Sequence, residues 1–246
     1  MGRWAGRRIS IAFAEQNDPG GRTGRSANLR ERIGEIRAMD KIVFATRNQG
    51  KIREIREIFR GIPVMTMDEA GVHIEIEETG TTFEENALLK ARDVFRALSG
   101  SEENALVMSD DSGIEIDFLG GEPGVYSARF LGVDTPYEIK NRIILEKLAE
   151  AKGEARSARY VCAIAAVAPD GREVCLRQTV EGFISEEPAG NGGFGYDPIF
   201  FVPEYGKTMA QLRPEEKNQI SHRGKALRKM RDQLERELLC NKRGRE

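Results

Sequence analysis

Ala105-Leu106-Val107-Met108-Ser109-Asp110-Asp111-Ser112-Gly113-Ile114-Glu115-Ile116-Asp117-Phe118 sets two adjacent carboxylates between an apolar run and a run that alternates as a strand does. Taken alone, residues 109–113 read as a turn, because Asp, Ser and Gly all favour one. At the mouth of a buried strand the same carboxylates would lose hydration, which is costly unless a cation or hydrogen-bond donors compensate. Which reading holds depends on the partners that the rest of the chain supplies.

Upstream, Lys41-Ile42-Val43-Phe44-Ala45 is a short apolar strand that runs into the polar loop Thr46-Arg47-Asn48-Gln49-Gly50-Lys51. An amphipathic helix follows, with Ile52, Ile55, Ile58 and Phe59 on one face and Gly61 and Pro63 at its end. Residues 62–67 read as a second strand. Residues 73–78 alternate Ile74 and Ile76 with acids and read as a half-exposed third. Thr82 and Glu85 make a capping box for the next helix, whose buried stripe is Ala87, Ala91, Val94, Phe95 and Leu98.

Downstream, Gly120-Gly121-Glu122-Pro123-Gly124 excludes helix, and Pro136 opens another helix at its first position, with Ile139, Ile143 and Leu148 inward. Pro169-Asp170-Gly171 joins residues 160–168 and 172–184 into a β-hairpin. After a Gly- and Pro-rich stretch, 189–203, with an apolar run at 199–202, Ser221 caps a closing helix carrying Ala226, Leu227, Met230, Leu234 and Leu238 in register. The pattern is α/β with a mixed sheet, without internal repeats or a linker dividing the body.

The 246 residues, 39% of them hydrophobic, suffice for a real core, as one large domain or two small lobes. The formal charge of −2 hides an asymmetry. Residues 1–39 hold eight Arg against Glu15, Asp18, Glu31 and Glu35, a net of +4, so the remainder carries −6. An acidic body argues against a nucleic-acid coat but admits a small phosphorylated substrate in a locally basic pocket. Three cysteines (Cys162, Cys175, Cys240) without CxxC spacing, and two histidines, argue against zinc and fit free thiols in a reducing cytoplasm. No run approaches the roughly 18 apolar residues of a membrane span. Residues 1–38 lack a sustained period and read as a disordered tail, an upstream translation artefact or a targeting arm. Met39 then reads as the physiological start, with 39–246 as the folded domain.

Four segments carry chemistry. Thr46-x-Asn48-x-x-Lys51 lies between a strand and a helix and reads equally as a plain capping loop or as one whose backbone N–H groups and lysine suit phosphate. It is not a P-loop, since Ala45 and Ile52 stand where a Gly and a Ser or Thr belong. Glu78 ends an acidic run before a helix start; on its own it reads first as a solvated acidic edge, and second as a partner of Asp111 at a hard cation such as Mg²⁺. The third segment, Gly190-Asn191-Gly192-Gly193-Phe194-Gly195-Tyr196-Asp197-Pro198, contains a literal GxGxxG, but Asp197-Pro198 and a strand follow instead of a helix, so a dinucleotide fingerprint is rejected. Its glycines let backbone approach a flat ligand, with Phe194 and Tyr196 as stacking faces. Lys217, His222, Arg223 and Lys225 gather positive charge at a helix start, the wrong end by the macrodipole rule; it reads as a site for a bound anion or an acceptor-rich base edge, with a solvated basic helix start as the alternative.

In this order, the segments Thr46–Lys51, 78–83, Asn86 with Lys90-Ala91-Arg92, 110–113, 123–129, 192–201 and 221–224 resemble the inosine triphosphate pyrophosphatase family across residues 40–239. The resemblance implies an elongated central mixed sheet flanked by helices, two lobes with a cleft between them, and a homodimer. It also implies Mg²⁺-dependent hydrolysis of ITP, dITP or XTP to the monophosphate and pyrophosphate. Asp111 would be general base and metal ligand, with Glu78 its metal partner. Thr46, Arg47, Asn48, Gln49, Gly50, Lys51 and Ser112 would hold the triphosphate. Phe194, Gly195, Tyr196, Asp197, Lys217, His222 and Arg223 would form the base pocket. Asp110 has no firm role; holding Asp111 in place by hydrogen bonds is the one suggested. Two alternatives stand beside this reading. One is a Maf-like nucleotide pyrophosphatase, which Thr46-x-Asn48-x-x-Lys51 fits less well, and the other is a non-catalytic nucleotide-binding module, for which buried carboxylates have little use.

Overall fold

Strand β3 (Ala105–Ile116) runs unbroken through both carboxylates in the computed structural model, which describes residues 41–98 and 105–242. The turn reading of residues 109–113 is therefore overturned. From Val107 to Ile116 every residue of β3 lies opposite a residue of β5 (Ser157–Val167), in antiparallel register from Val107↔Val167 to Ile116↔Ala158. That ladder satisfies the backbone, and tertiary pairing of this kind outweighs a local turn preference.

On its other edge β3 pairs in parallel with β1 (Lys41–Phe44), whose last pair is Phe44↔Met108. β4 (Pro123–Gly124) takes up that edge again only at Ile114 and Glu115. Residues 109–113 thus have a strand on one side and, among the described residues, none on the other. Outside β1 lies β2 (Val64–Thr66), also parallel, while β6 (Glu173–Ile184), β7 (Phe200–Val202) and β8 (Lys207–Thr208) continue antiparallel from β5. The mixed sheet has the order β2-β1-β3-β5-β6-β7-β8, with β4 beside β3. At 12 residues, β3 and β6 are each about 40 Å long, which gives the sheet its elongated form.

The core divides along these long strands. Around the first half of β3, Ile42, Phe44, Leu106 and Met108 pack beneath Ile52 and Ile55 of α1 (Gln49–Ile58) and Ala226, Leu227 and Met230 of α5 (His222–Lys242). On the opposite face Val43, Val107, Ala163 and Ala165 meet Ala87, Ala91 and Val94 of α2 (Phe83–Ala97). A third cluster surrounds the second half of β3. It joins Ile114 and Ile116 to Ile144 of α3 (Tyr137–Lys147), Leu148, Tyr160, Ile199 and Phe200. A short α4 (Pro214–Ile220) precedes α5. The Thr82–Glu85 capping box is present: Glu85 N–H donates to Thr82 Oγ1 at 3.1 Å, and Thr82 N–H to Glu85 Oε2 at 3.3 Å.

Three local expectations change. Residues 73–78 pair with no strand; Ile74 and Ile76 do pack inward against the α2 face, so the alternation is present without a ladder. Pro136 is the cap residue of α3, whose first residue is Tyr137. Ile139 is 40% exposed, because polar contacts set the face of α3: Lys140 Nζ donates to the Ala128 carbonyl at 2.7 Å and Asn141 Nδ2 to the Gly195 carbonyl at 3.2 Å. Leu148 is buried as expected. Residues 1–38, Met39 and the side chains of Leu238 and Cys240 lie outside the described residues. Cys162 and Cys175 are free thiols, and no described helix is long and apolar enough to cross a membrane.

Gly113 sits where the sheet is tightly packed. A Cβ there would meet Ser127 Oγ, the Gly124 carbonyl oxygen at 2.6 Å and Phe83 Cε1 at 2.8 Å. Gly113→Ala should cost about 1–3 kcal/mol, the usual penalty for overpacking, and lower Tm by about 2–4 °C per kcal/mol. An unchanged melting curve would contradict this packing.

Candidate active site

Period 2 sends Asp110 and Asp111 to opposite faces of β3, and each face brings its own helices to them. Asp110 is 1% exposed and points to the side of α1 and α5. Lys51 Nζ, from the first turn of α1, pairs with its Oδ1 at 2.8 Å. Arg223 Nε, from the first turn of α5, pairs with Oδ2 at 3.1 Å, and Ser112 Oγ donates to the same oxygen at 3.1 Å. Burial alone would raise the carboxyl, but Lys51, Arg223 and Lys90 together hold it far below the usual range. Asp110 therefore holds cations and makes no hydrogen bond to Asp111, which corrects the role suggested for it. Arg223 also reaches Glu54 Oε2 at 3.4 Å, so the positive charge at this helix start has an internal partner.

Asp111 points the other way, toward α2. Asn86 Nδ2 donates to its Oδ2 at 3.2 Å, and Lys90 Nζ lies 3.4 Å from Oδ1. The same ammonium is 2.5 Å from Glu78 Oε1, while Arg129 Nη1 pairs with Glu78 Oε2 at 2.9 Å. Burial, with the charges of Glu78 and Asp110, raises the Asp111 carboxyl despite Lys90 and Asn86. Glu78 is lowered: burial opposes, but Lys90 and Arg129 outweigh it. Two carboxylates converging on one cation are a donor set that suits Mg²⁺, which takes one or two protein carboxylates and completes its shell with water and substrate phosphate. Among the described residues no group of three or more His, Cys, Asp or Glu could hold a metal, so an all-protein cage is absent.

The phosphate-type loop closes as a cap on α1. Asn48 Oδ1 accepts from Gly50 N–H at 2.9 Å and Lys51 N–H at 3.1 Å, and Thr46 Oγ1 accepts from Asn48 N–H at 3.1 Å. Arg47 turns away, to Asp68 at 3.3 Å and Glu75 at 3.1 Å, and the side chain of Gln49 is outside the described residues. The Gly-rich segment is organised by Asp197, whose Oδ2 accepts from Phe194 N–H at 2.7 Å and Lys217 Nζ at 2.6 Å. Gly193 is required there: its φ is +74°, and any Cβ would strike Asp197 Oδ2. Phe194 is 66% exposed with Lys217 Nζ 4.8 Å from its ring centre, whereas Tyr196 is buried and donates to the Ser127 carbonyl at 2.7 Å. Burial and the charge of Arg223 push His222 down to about 3, so it is neutral, and its buried Nδ1 has no partner among the described residues.

Lys51, Ser112 and Arg223 thus meet at Asp110, Glu78 and Asp111 share Lys90 between them, and Phe194, Asp197 and Lys217 meet one another. Arg47 stands apart, and Tyr196 serves the core. Asn86, Lys90, Arg129, Glu54 and Tyr160 hold the site without having been given roles from sequence. A signal existed for two of them: Asn86 and Lys90 are four apart, each one residue before Ala87 and Ala91 of the apolar stripe.

The hub at Asp110 makes a pH prediction. Its folded pKa is depressed, so its ion pairs stabilise the fold above the unfolded value near 4, and this stability is lost as pH falls further. Asp110→Asn strands the buried Arg223 and should cost about 3–5 kcal/mol at neutral pH. Denaturation should show the gap from wild type narrowing below about pH 4; a gap independent of pH would contradict the charged hub.

A family model described as the Ham1 family matches residues 42–233. The dITP/XTP pyrophosphatase of Clostridium perfringens is 44% identical over 199 residues, covering 80% of this chain and 98% of that protein. The dITP/XTP pyrophosphatase of Bacillus subtilis is 47% identical over 199 residues, with 80% and 98% covered. Among solved structures, the Staphylococcus aureus Ham1 protein matches with a TM-score of 0.73 at 43% identity, over 80% of this chain and 99% of that one. Fold, motif order and this likeness over nearly the full length of the relatives agree: the chain belongs to the Ham1 family.

Proposed function

We propose that the protein hydrolyses the non-canonical purine nucleoside triphosphates ITP, dITP and XTP to monophosphate and pyrophosphate, by attack of water at the α-phosphorus. One observation carries the reading. At the edge of β3 that no strand covers among the described residues, an acid pair (Asp111, Glu78) lies on one face of the sheet and a phosphate-type cation (Lys51) on the other. Ligands of open α/β sheets bind outside the carboxyl ends of parallel strands, and β1 ends there. The relatives' names support the substrate class.

Asp111 accepts the proton of the attacking water, a task its raised pKa favours. Asn86 orients the carboxylate by donating to Oδ2. Lys51, with the loop Thr46–Lys51 and Ser112, receives the charge of the pyrophosphate leaving group. Glu78 and Asp111 would hold Mg²⁺, which when bound supplies positive charge beside the reacting phosphate and lowers the pKa of water. The exposed ring of Phe194 stacks on the base. Lys217 and the loop amides present donors to a 6-oxo purine; adenine would set its amino group against them, a mismatch of about 1–3 kcal/mol. His222, neutral, adds a ring nitrogen at the same helix start as Arg223, whose guanidinium is engaged by Asp110 and Glu54.

Incubation with Mg²⁺ and ITP, XTP, ATP, GTP, CTP or UTP should yield pyrophosphate chiefly from ITP and XTP, and Asp111→Asn should lower turnover by about 10²–10⁴-fold with the fold intact. Full activity in a folded Asp111→Asn protein would remove the mechanism. A cytoplasmic homodimer belongs to the same proposal. It is supported by the free thiols Cys162 and Cys175 and, among the described residues, by six of the seven exposed large hydrophobics falling between Phe118 and Ile139. The native protein should sediment from a cytoplasmic fraction at twice the chain mass; a monomer there would contradict the dimer.

A further inference from the structure

Tyr160 of β5 touches both halves of the proposed base pocket. Its ring lies parallel to the His222 imidazole, with centroids 4.8 Å apart and planes 11° apart. Its hydroxyl donates to Asp197 Oδ1 at 3.1 Å, the carboxylate oxygen that Phe194 N–H and Lys217 Nζ leave free. Asp197 is 4% exposed, so an oxygen left without a donor there would turn or draw in water. The ring belongs to the third core cluster: Val180 lies opposite Tyr160 on β6, and the Phe200 centroid is at 4.4 Å. Phenylalanine would fill that volume equally well, so packing gives no reason for the hydroxyl.

We propose that Tyr160 is a positioning residue that sets base selectivity. Its hydroxyl fixes the carboxylate of Asp197, and through Asp197 the Phe194 amide and the Lys217 ammonium. Its ring fixes the plane of His222. Gly193 packs so closely on Asp197 that a Cβ would collide with it, and rotation of that carboxylate therefore displaces the loop beside the base. The triphosphate side, built on Lys51 and Asp110, makes no hydrogen bond to Tyr160. The inference rests on the base-pocket reading given above.

Tyr160→Phe keeps the ring and removes one hydrogen bond to a charged acceptor, a loss of about tenfold. Steady-state kinetics with ITP and ATP, and competition by tripolyphosphate, test it. Expected are a KM for ITP raised about tenfold, kcat lowered less than threefold, a KM for ATP within twofold of wild type, and an unchanged tripolyphosphate Ki. Tyr160→Leu, which also removes the stack on His222, should lower the ITP-to-ATP ratio further. An unaltered ratio in Tyr160→Phe, or ITP KM and tripolyphosphate Ki rising together, would overturn the positioning role. A wild-type protein that does not prefer ITP to ATP would instead remove the proposed function, and this inference with it.

Discussion

The site depends on the ladder between β3 and β5 continuing past the point where β1 stops. Because β5 satisfies the backbone from Val107 to Ile116, β3 needs no second neighbour at residues 109–113, and the strand stays extended with one edge uncovered. A turn there would have thrown both carboxylates into solvent. The extended strand instead sends them to opposite faces, one toward α1 and α5 and the other toward α2. The apolar clusters on those faces, built from residues of the same parity, fix the helices that deliver Lys51, Arg223, Asn86 and Lys90.

Electrostatics then divides the pair. Asp110, enclosed by Lys51 and Arg223, stays ionised well below the usual range and works as a fixed counter-charge that ties two helix starts to the sheet. Asp111 faces Glu78 across Lys90 and is pushed the other way. Neighbouring carboxyls whose environments separate their proton affinities mark distinct roles. Asp110 serves as a fixed counter-charge, while the surroundings of Asp111 are those that the proposed base requires. The same economy recurs at Asp197, where three donors from β5, the Gly-rich loop and α4 converge on a single buried carboxylate.

Much of this was legible in the sequence where a local rule and the tertiary outcome coincide. The capping box at Thr82, the apolar stripes of α1 and α2 and the hairpin about Asp170-Gly171 are of that kind. Motif order likewise identified the family. What was hidden is non-local. Whether Asp110-Asp111 turns or extends depends on a partner strand some fifty residues later. The alternation at 73–78 could not reveal that no strand would pair with it. Ile139 is exposed because Lys140 and Asn141 bond to carbonyls of distant loops. The positive charge at the start of α5 called for an anion, and that anion is a side chain of β3.

The most direct test is the fate of oxygen. With ITP, Mg²⁺ and ¹⁸O-labelled water, a carboxylate base at residue 111 acting on water at the α-phosphorus predicts one ¹⁸O atom in the monophosphate and none in the pyrophosphate. Label in pyrophosphate or in orthophosphate would place the attack at another phosphorus and contradict the proposed hydrolysis at the α-phosphorus.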